Sequence, residues 1–165
     1  MSLNEKEKEL ISLAASVAAG CRPCTEYHVK ATRKAGACER GLALAVETAL
    51  EVRKSATQKM DQWAGQCQGP RPEVDAEFRS QKRQIVELEA VAAAFAVNSA
   101  PDLEARVAAA RAAGATMEQI REAIDVAKGI KGVAEKHASA VVVAAEAPAP
   151  SCCEAKAPTS CGCGS

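Results

Sequence analysis

A segment of 29 residues recurs in this chain after 78 positions, and this recurrence constrains the fold more than any other feature. The segment ELISLAASVAAGCRPCTEYHVKATRKAGA (9–37) aligned with ELEAVAAAFAVNSAPDLEARVAAARAAGA (87–115) has 13 identical positions. A stretch with two glycines and two prolines, GQCQGPRPEVD (65–75), lies between them and interrupts a helical pattern. The chain is therefore predicted to contain two tandem copies of one structural unit.

Each copy is predicted to consist of three helices. The first helix ends near Gly20 or Asn98 and the second ends at Gly36 or Gly114, since these residue types tolerate the left-handed conformation that closes a helix. Alanine dominates the 48% of hydrophobic residues, and aromatic residues make up only 2%, too few for most β-sheet cores. The predicted fold class is therefore all-α, with Tyr27, Trp63, Phe78 and Phe95 as core or oligomer contacts.

The predicted domain comprises residues 1–146, with the first copy at about 5–64 and the second at about 73–145. Residues 147–165, rich in Pro, Ala, Ser, Gly and Cys, cannot bury a core and are predicted to be a disordered tail. Lys plus Arg equals Asp plus Glu at 21 each, so no net field attracts nucleic acid or an anionic membrane surface. The start MSLNEKEKEL lacks the apolar core of a signal peptide, and we expect a cytoplasmic protein without a membrane span.

The chemistry of the chain is concentrated in GCRPCTEYHVKATRKAG, where Cys21, Cys24 and His28 follow one another at intervals of three and four. On a helix this spacing places all three side chains on one face. Two cysteines at a helix start can form a disulfide, and histidine exchanges a proton near neutral pH. Glu9, on the preceding helix, reaches the same face if the two helices pack antiparallel. The second copy has other residues at the positions of Cys21, Cys24 and His28, namely Ser99, Asp102 and Arg106.

The start of the second helix follows from the second copy, where Ser99 suits an N-cap and Pro101 the first turn. Cys21 then lies at the helix start and Cys24 about one turn in, where the helix dipole favours a thiolate. In the second copy Thr116 and Gln119 can also form a capping box for the third helix.

Two other interpretations of the cysteines stay open. Cys21, Cys24 and His28 are soft ligands for a metal or metalloid, with a fourth from Cys38, Cys67 or the tail. The tail could also act as a metal-binding segment or an electron relay by itself, through Cys152, Cys153, Cys161 and Cys163. A catalytically silent structural oligomer is the remaining alternative.

Glu9, the CxxC motif twelve residues later, His28 and a helix ending in AGA together resemble the alkylhydroperoxidase D-like branch of the carboxymuconolactone decarboxylase superfamily. The resemblance implies an all-helical obligate oligomer, a homotrimer or a hexamer. It also implies a thiol peroxidase or dithiol oxidoreductase in which Cys24 attacks the peroxide, Cys21 resolves the product, and Glu9 with His28 relays protons. The implied partners are a small hydroperoxide or disulfide and an external dithiol reductant, and no bound cofactor is implied.

The chain departs from alkylhydroperoxidase D in two ways. Pro23 stands where that protein has a histidine immediately before the second cysteine, and the motif lies in the first copy rather than the second. These departures leave the substrate and the reductant open, whereas the dithiol chemistry does not depend on them.

Overall fold

The structure, a computed structural model, describes residues 2–146, and the regular secondary structure of this part of the chain is all α-helix. It contains seven helices and no strand: α1 Glu5–Ala18, α2 Arg22–Lys34, α3 Glu39–Gln68, α4 Ala76–Gln81, α5 Arg83–Ala96, α6 Ala100–Ala112 and α7 Met117–Glu146. The predicted all-α class is confirmed. None of these seven helices combines the length and the apolar character that crossing a bilayer requires.

The bounds of the helices repeat at the interval of the sequence repeat. Helices α5, α6 and α7 begin and end 78 residues after α1, α2 and α3, and the paired helices have 14, 13 and 30 residues. This agreement supports the interpretation of the sequence as two copies of one unit. The chain divides into two compact units, the first ending at Ile130 and the second beginning at Lys131. Helices α1 to α6 and the first part of α7 lie in the first unit.

The helix ends lie where the turn residues predicted them. Positive φ angles occur at Gly20 (70°), Gly36 (80°) and Gly114 (90°), and Asn98 (57°) is the one non-glycine residue of the described range with a positive φ. The predicted break between the copies begins later than the sequence indicated, because α3 continues through Gly65 to Gln68, and residues 69–75 contain no helix.

Different interactions hold the starts of the two long helices. The capping box predicted for α7 is present, since the Thr116 backbone N–H donates to Gln119 Oε1 at 2.9 Å and the Gln119 N–H donates to Thr116 Oγ1 at 3.2 Å. Helix α3 has Cys38 at its N-cap without a side-chain hydrogen bond. Here Arg33 donates twice to Glu39, at 2.8 and 3.0 Å, and this pairing lowers the pKa of the Glu39 carboxyl.

The buried residues of the two copies also correspond at the same interval. Five pairs correspond, namely Leu13, Ser16, Thr32, Leu42 and Ala49 in the first copy and Val91, Ala94, Ala110, Ile120 and Ala127 in the second. Ala115 of the second copy is also buried, whereas its counterpart Ala37 is half-buried. Small side chains allow the helices to approach closely, as the alanine-rich composition predicts. Tyr27, Trp63 and Phe78 are exposed, so these three aromatic residues do not form the core of the single chain.

Candidate active site

A disulfide between Cys21 and Cys24 lies at the start of α2, with 5.3 Å between the two Cα atoms. Cys21 is the N-cap residue, in an extended conformation, and Cys24 is in the first helical turn, as predicted. The backbone N–H of Cys21 donates to the carbonyl of Ser16 at 3.1 Å, which ties the disulfide to the end of α1. Cys24 is exposed and Cys21 is half-buried, so the two sulfur-bearing residues differ in their access to solvent.

Glu9 and His28 meet between α1 and α2. His28 Nδ1 lies 2.9 Å from Glu9 Oε2, and each side chain is 25% exposed. An ionised carboxylate can only accept, so Nδ1 is the donor in this contact and Nε2 is the ring nitrogen left for another partner. His28 follows Cys24 by four residues on the same helix, which places the imidazole and the disulfide on one face of α2.

The second copy has a different pair at these two positions. Arg106 Nη1 lies 3.5 Å from Glu87 Oε2, and these residues are the counterparts of His28 and Glu9. The packing of the first two helices therefore brings the two positions together in either copy. At these two positions only the first copy has an imidazole, the side chain suited to general acid–base chemistry, because a guanidinium offers no acceptor nitrogen.

Three hydroxyl side chains around the site were not singled out from the sequence. The Ser16 hydroxyl donates to the Leu13 carbonyl at 2.8 Å, and the Thr25 hydroxyl lies 3.2 Å from the Ser16 hydroxyl and 3.0 Å from the Cys21 carbonyl. The Thr32 hydroxyl, fully buried, donates to the Glu9 carbonyl at 3.2 Å. Two of these hydrogen bonds, from Thr25 and Thr32 on α2, hold the backbone at Cys21 and at Glu9.

The sequence carried a signal for these hydroxyl groups, because the second copy has none at the same positions. Ser16, Thr25 and Thr32 correspond to Ala94, Leu103 and Ala110. A hydroxyl that appears only in the copy with the CxxC motif is a candidate for supporting that motif. Within the described residues, no buried side-chain nitrogen or oxygen lacks a hydrogen-bond partner.

Two further residues hold the segment that leads into Cys21. Arg53 on α3 donates through Nη1 to the Ala18 carbonyl at 2.6 Å, at the end of α1. Asn98, from the corresponding turn of the second copy, donates through Nδ2 to the Ala19 carbonyl at 2.8 Å. The second copy therefore contributes directly to the position of the disulfide-bearing turn.

Among the described residues, no set of ligands surrounds the CxxC motif for the metal site considered from the sequence. Cys38 and Cys67 are exposed free thiols, and residues 2–146 contain no cluster of three or more His, Cys, Asp or Glu side chains able to hold a metal ion. The disulfide also leaves Cys21 and Cys24 without the thiolates that soft metals bind. The predicted tail lies outside the described residues, with its cysteines Cys152, Cys153, Cys161 and Cys163.

The carboxymuconolactone decarboxylase family model matches residues 1–59, which contain α1, α2, most of α3 and the complete Glu9, CxxC and His28 arrangement. Residues 1–59 are therefore similar to this family, and the resemblance seen in the sequence is confirmed at that level. No curated protein and no solved structure matched the chain. The family match supports an enzyme, and the Cys21–Cys24 pair is compatible with redox chemistry.

Proposed function

We propose that this protein is a thiol-dependent peroxidase, and more generally a dithiol–disulfide oxidoreductase, that uses Cys24 and Cys21 as its redox pair. The observation that carries the proposal is the disulfide at the start of α2, with its exposed Cys24, on the same helix as a histidine bound to Glu9. A structural disulfide would need no proton-exchanging pair beside it, whereas thiol–disulfide chemistry moves a proton at each step.

In the reduced protein, His28 accepts the proton of the Cys24 thiol, and the Glu9 carboxylate stabilises the resulting imidazolium. The Cys24 thiolate attacks the terminal oxygen of a hydroperoxide and breaks the O–O bond. The alkoxide leaves as an alcohol once it takes the proton from His28, and Cys24 becomes a sulfenic acid. The helix start around Cys24 favours the thiolate before the attack.

The Cys21 thiol then attacks the Cys24 sulfur, releasing water and forming the disulfide seen in the structure. The peroxide has been reduced by two electrons, and the two cysteines have been oxidised by two. An external dithiol returns the pair to its reduced form and leaves as its own disulfide. The proposed partners are therefore a small hydroperoxide or disulfide and a dithiol reductant, acting on a homotrimeric or hexameric protein.

The experiment combines turnover with site-specific mass spectrometry. The wild-type protein should consume a hydroperoxide repeatedly when a dithiol is supplied, and Cys24→Ser should abolish this consumption. Cys21→Ser should form one sulfenic acid at Cys24 and then stop, because the resolving thiol is gone.

Two exposed cysteines provide the matched controls for this test. Cys38→Ser and Cys67→Ser remove thiols that lie outside the redox pair, and both variants should keep the wild-type rate. Sustained turnover by Cys21→Ser, or remaining activity in Cys24→Ser, contradicts the roles assigned here.

A further inference from the structure

The turns that end α1 and α5 lie against each other, and each contains one residue in the left-handed conformation. Gly20 has a φ of 70° in the first turn, and Asn98 has a φ of 57° at the corresponding position of the second. In the first turn the backbone N–H groups of Gly20 and Cys21 donate to the carbonyls of Val17 and Ser16, at 3.1 Å each. The second turn has the equivalent two bonds, so the two turns have the same backbone design.

The two turns differ in the side chain at this position, and the difference produces a hydrogen bond in one direction. Asn98 Nδ2 donates to the Ala19 carbonyl oxygen at 2.8 Å. Gly20 has no side chain to return such a bond, and a Cβ atom there would lie 3.2 Å from the Val97 carbonyl oxygen. Glycine adopts a positive φ more readily than asparagine does. The second copy therefore has the less favourable residue for the turn and gains a donor to the first copy.

This donor acts on the segment that leads into Cys21. Ala19 lies two residues before Cys21, and its carbonyl belongs to the end of α1, where the helix itself supplies no donors. Arg53 donates to the neighbouring Ala18 carbonyl at 2.6 Å. A cavity of about 540 Å³ lies between residues 19–23 and residues 97–101. On this side the turn is therefore restrained by hydrogen bonds and not by close packing.

Cys21 is the member of the redox pair whose position depends on this turn. Cys24 is in the first turn of α2, whereas Cys21 is the N-cap residue, with an extended backbone. Restraining the segment before Cys21 reduces the conformations that its thiol can adopt in the reduced protein. The effective concentration of this thiol at Cys24 increases as a result.

We infer that Asn98 is a positioning residue for Cys21, through which the second copy shifts the thiol–disulfide equilibrium of the pair toward the disulfide. The inference rests on the proposed function, because it concerns the closing step of the same redox cycle. In that step the Cys21 thiolate attacks the sulfur of the Cys24 sulfenic acid, the S–O bond breaks, and the oxygen leaves as water. The hydroperoxide that formed the sulfenic acid is the oxidant. Asn98 contacts none of the reacting atoms and acts through the position of Ala19.

The test measures the equilibrium between the Cys21–Cys24 pair and glutathione, without peroxide. Rapid alkylation and mass spectrometry give the disulfide fraction at each ratio of reduced to oxidised glutathione. Asn98→Gly keeps a residue that suits the positive φ and removes the donor. We expect the equilibrium constant for disulfide formation to fall about two- to fivefold, the size of one hydrogen bond between uncharged groups.

Gln84→Ala is the matched control for this variant. The Gln84 side-chain amide also donates to the carbonyl of a turn residue, that of Gly114 at 3.1 Å, but this turn ends α6. The control removes a donor of the same kind from the second copy without affecting the segment before Cys21. Its equilibrium constant should equal that of the wild type.

A second measurement uses the unaltered protein. Because the disulfide and the Asn98 bond favour the same conformation of the turn, the disulfide must strengthen the bond by the factor by which the bond favours the disulfide. Hydrogen exchange of the Asn98 side-chain amide, followed by NMR, should therefore be about two- to fivefold slower in the oxidised protein than in the reduced protein. The Gln84 side-chain amide should exchange at the same rate in both forms.

Three results would overturn the inference. They are an unchanged equilibrium constant in Asn98→Gly, an equal fall in Gln84→Ala, and equal exchange of the Asn98 amide in the oxidised and reduced proteins. Should circular dichroism show that Asn98→Gly is unfolded, the exchange measurement decides the question. Neither measurement uses peroxide, so a protein that shows both effects but leaves peroxide intact refutes only the proposed peroxidase. A peroxidase that shows neither effect refutes only the role of Asn98.

Discussion

At the scale of single residues, the comparison between the two copies separates scaffold from chemistry. Glu9 and His28 are joined across α1 and α2, and Glu87 and Arg106 occupy the same positions in the second copy with a contact of 3.5 Å. The geometry alone therefore does not identify a proton relay, since it is common to both pairs. The proposed relay rests on the identity of the side chain, because an imidazole can act as a general acid or base and a guanidinium cannot.

Replacing either member of the relay should slow the reaction of Cys24 without unfolding the chain. Glu9→Gln removes the charge that stabilises the imidazolium, and His28→Asn removes the group that accepts the thiol proton. We expect each substitution to lower the rate of thiolate formation and of peroxide reduction by about 100-fold. The pH dependence of alkylation of Cys24 in the reduced protein measures this, and its midpoint should move to higher pH.

The second copy offers a matched control for the relay. Glu87→Gln changes the same kind of residue at the equivalent position of α5, away from the disulfide. It should leave the alkylation profile of Cys24 unaltered. If Glu9→Gln and Glu87→Gln give the same profile as the wild type, Glu9 is only a structural partner of His28.

At the scale of secondary-structure elements, the turn between α1 and α2 is the most constrained part of the site. Gly20 has a φ of 70°, and a Cβ atom at this position would lie 3.2 Å from the Val97 carbonyl oxygen and 3.2 Å from Arg53 Nη1. Gly36, which ends α2 with a φ of 80°, would have no atom within 4 Å of an added Cβ. The two glycines therefore share the same backbone requirement and differ in their surroundings.

This difference predicts unequal effects of the same substitution. Gly36→Ala should destabilise the fold by about 1 kcal/mol, because only the left-handed conformation becomes unfavourable. Gly20→Ala should lower the free energy of unfolding by about 1 to 3 kcal/mol more, because its methyl group also pushes against Arg53 and the Val97 carbonyl.

Urea-induced unfolding of both variants at one protein concentration measures the difference. Gly114→Ala, whose position has a φ of 90° and open surroundings, is the control and should match Gly36→Ala. If Gly20→Ala and Gly36→Ala lower the free energy of unfolding equally, the close approach of the turn at Gly20 to the turn at Val97 and Asn98 does not persist in solution.

At the scale of the whole molecule, a large amount of apolar surface is exposed on the single chain. A groove of about 630 Å³ along α3 has Leu42, Val46 and Leu50 in its lining, and Leu50 is 53% exposed. Trp63 is 59% exposed farther along the same helix. Exposed apolar side chains of this kind are suited to a subunit interface, and the homotrimer or hexamer expected from the sequence stays a prediction.

Light scattering at micromolar concentration should report an oligomer, and Leu50→Glu should shift it to smaller species, because a buried unpaired charge opposes association. Leu3→Glu is the control, since Leu3 has a similar exposure of 51% and lies outside the groove. A wild-type monomer would contradict the prediction. An unchanged oligomer in Leu50→Glu would move the interface to another surface.

The sequence alone determined the features that depend on neighbouring residues. Helix ends at Gly36 and Gly114, the N-cap positions of Cys21 and Ser99, and the capping box of α7 were all predicted, because backbone conformation and spacing act within one or two turns. The self-alignment also predicted the interval of 78 residues between corresponding helices.

Only the tertiary structure decided which side chains from separate helices meet. Packing brings Glu9 to His28 across 19 residues of sequence, Arg53 to the end of α1 across 35, and Asn98 to the Ala19 carbonyl across 79. These contacts depend on how the helices approach one another, and an amphipathic pattern determines which face is buried without determining its partner. For the same reason the sequence placed Cys21 and Cys24 at one helix start, but only the structure placed Cys21 half-buried against the end of α1 and left Cys24 exposed.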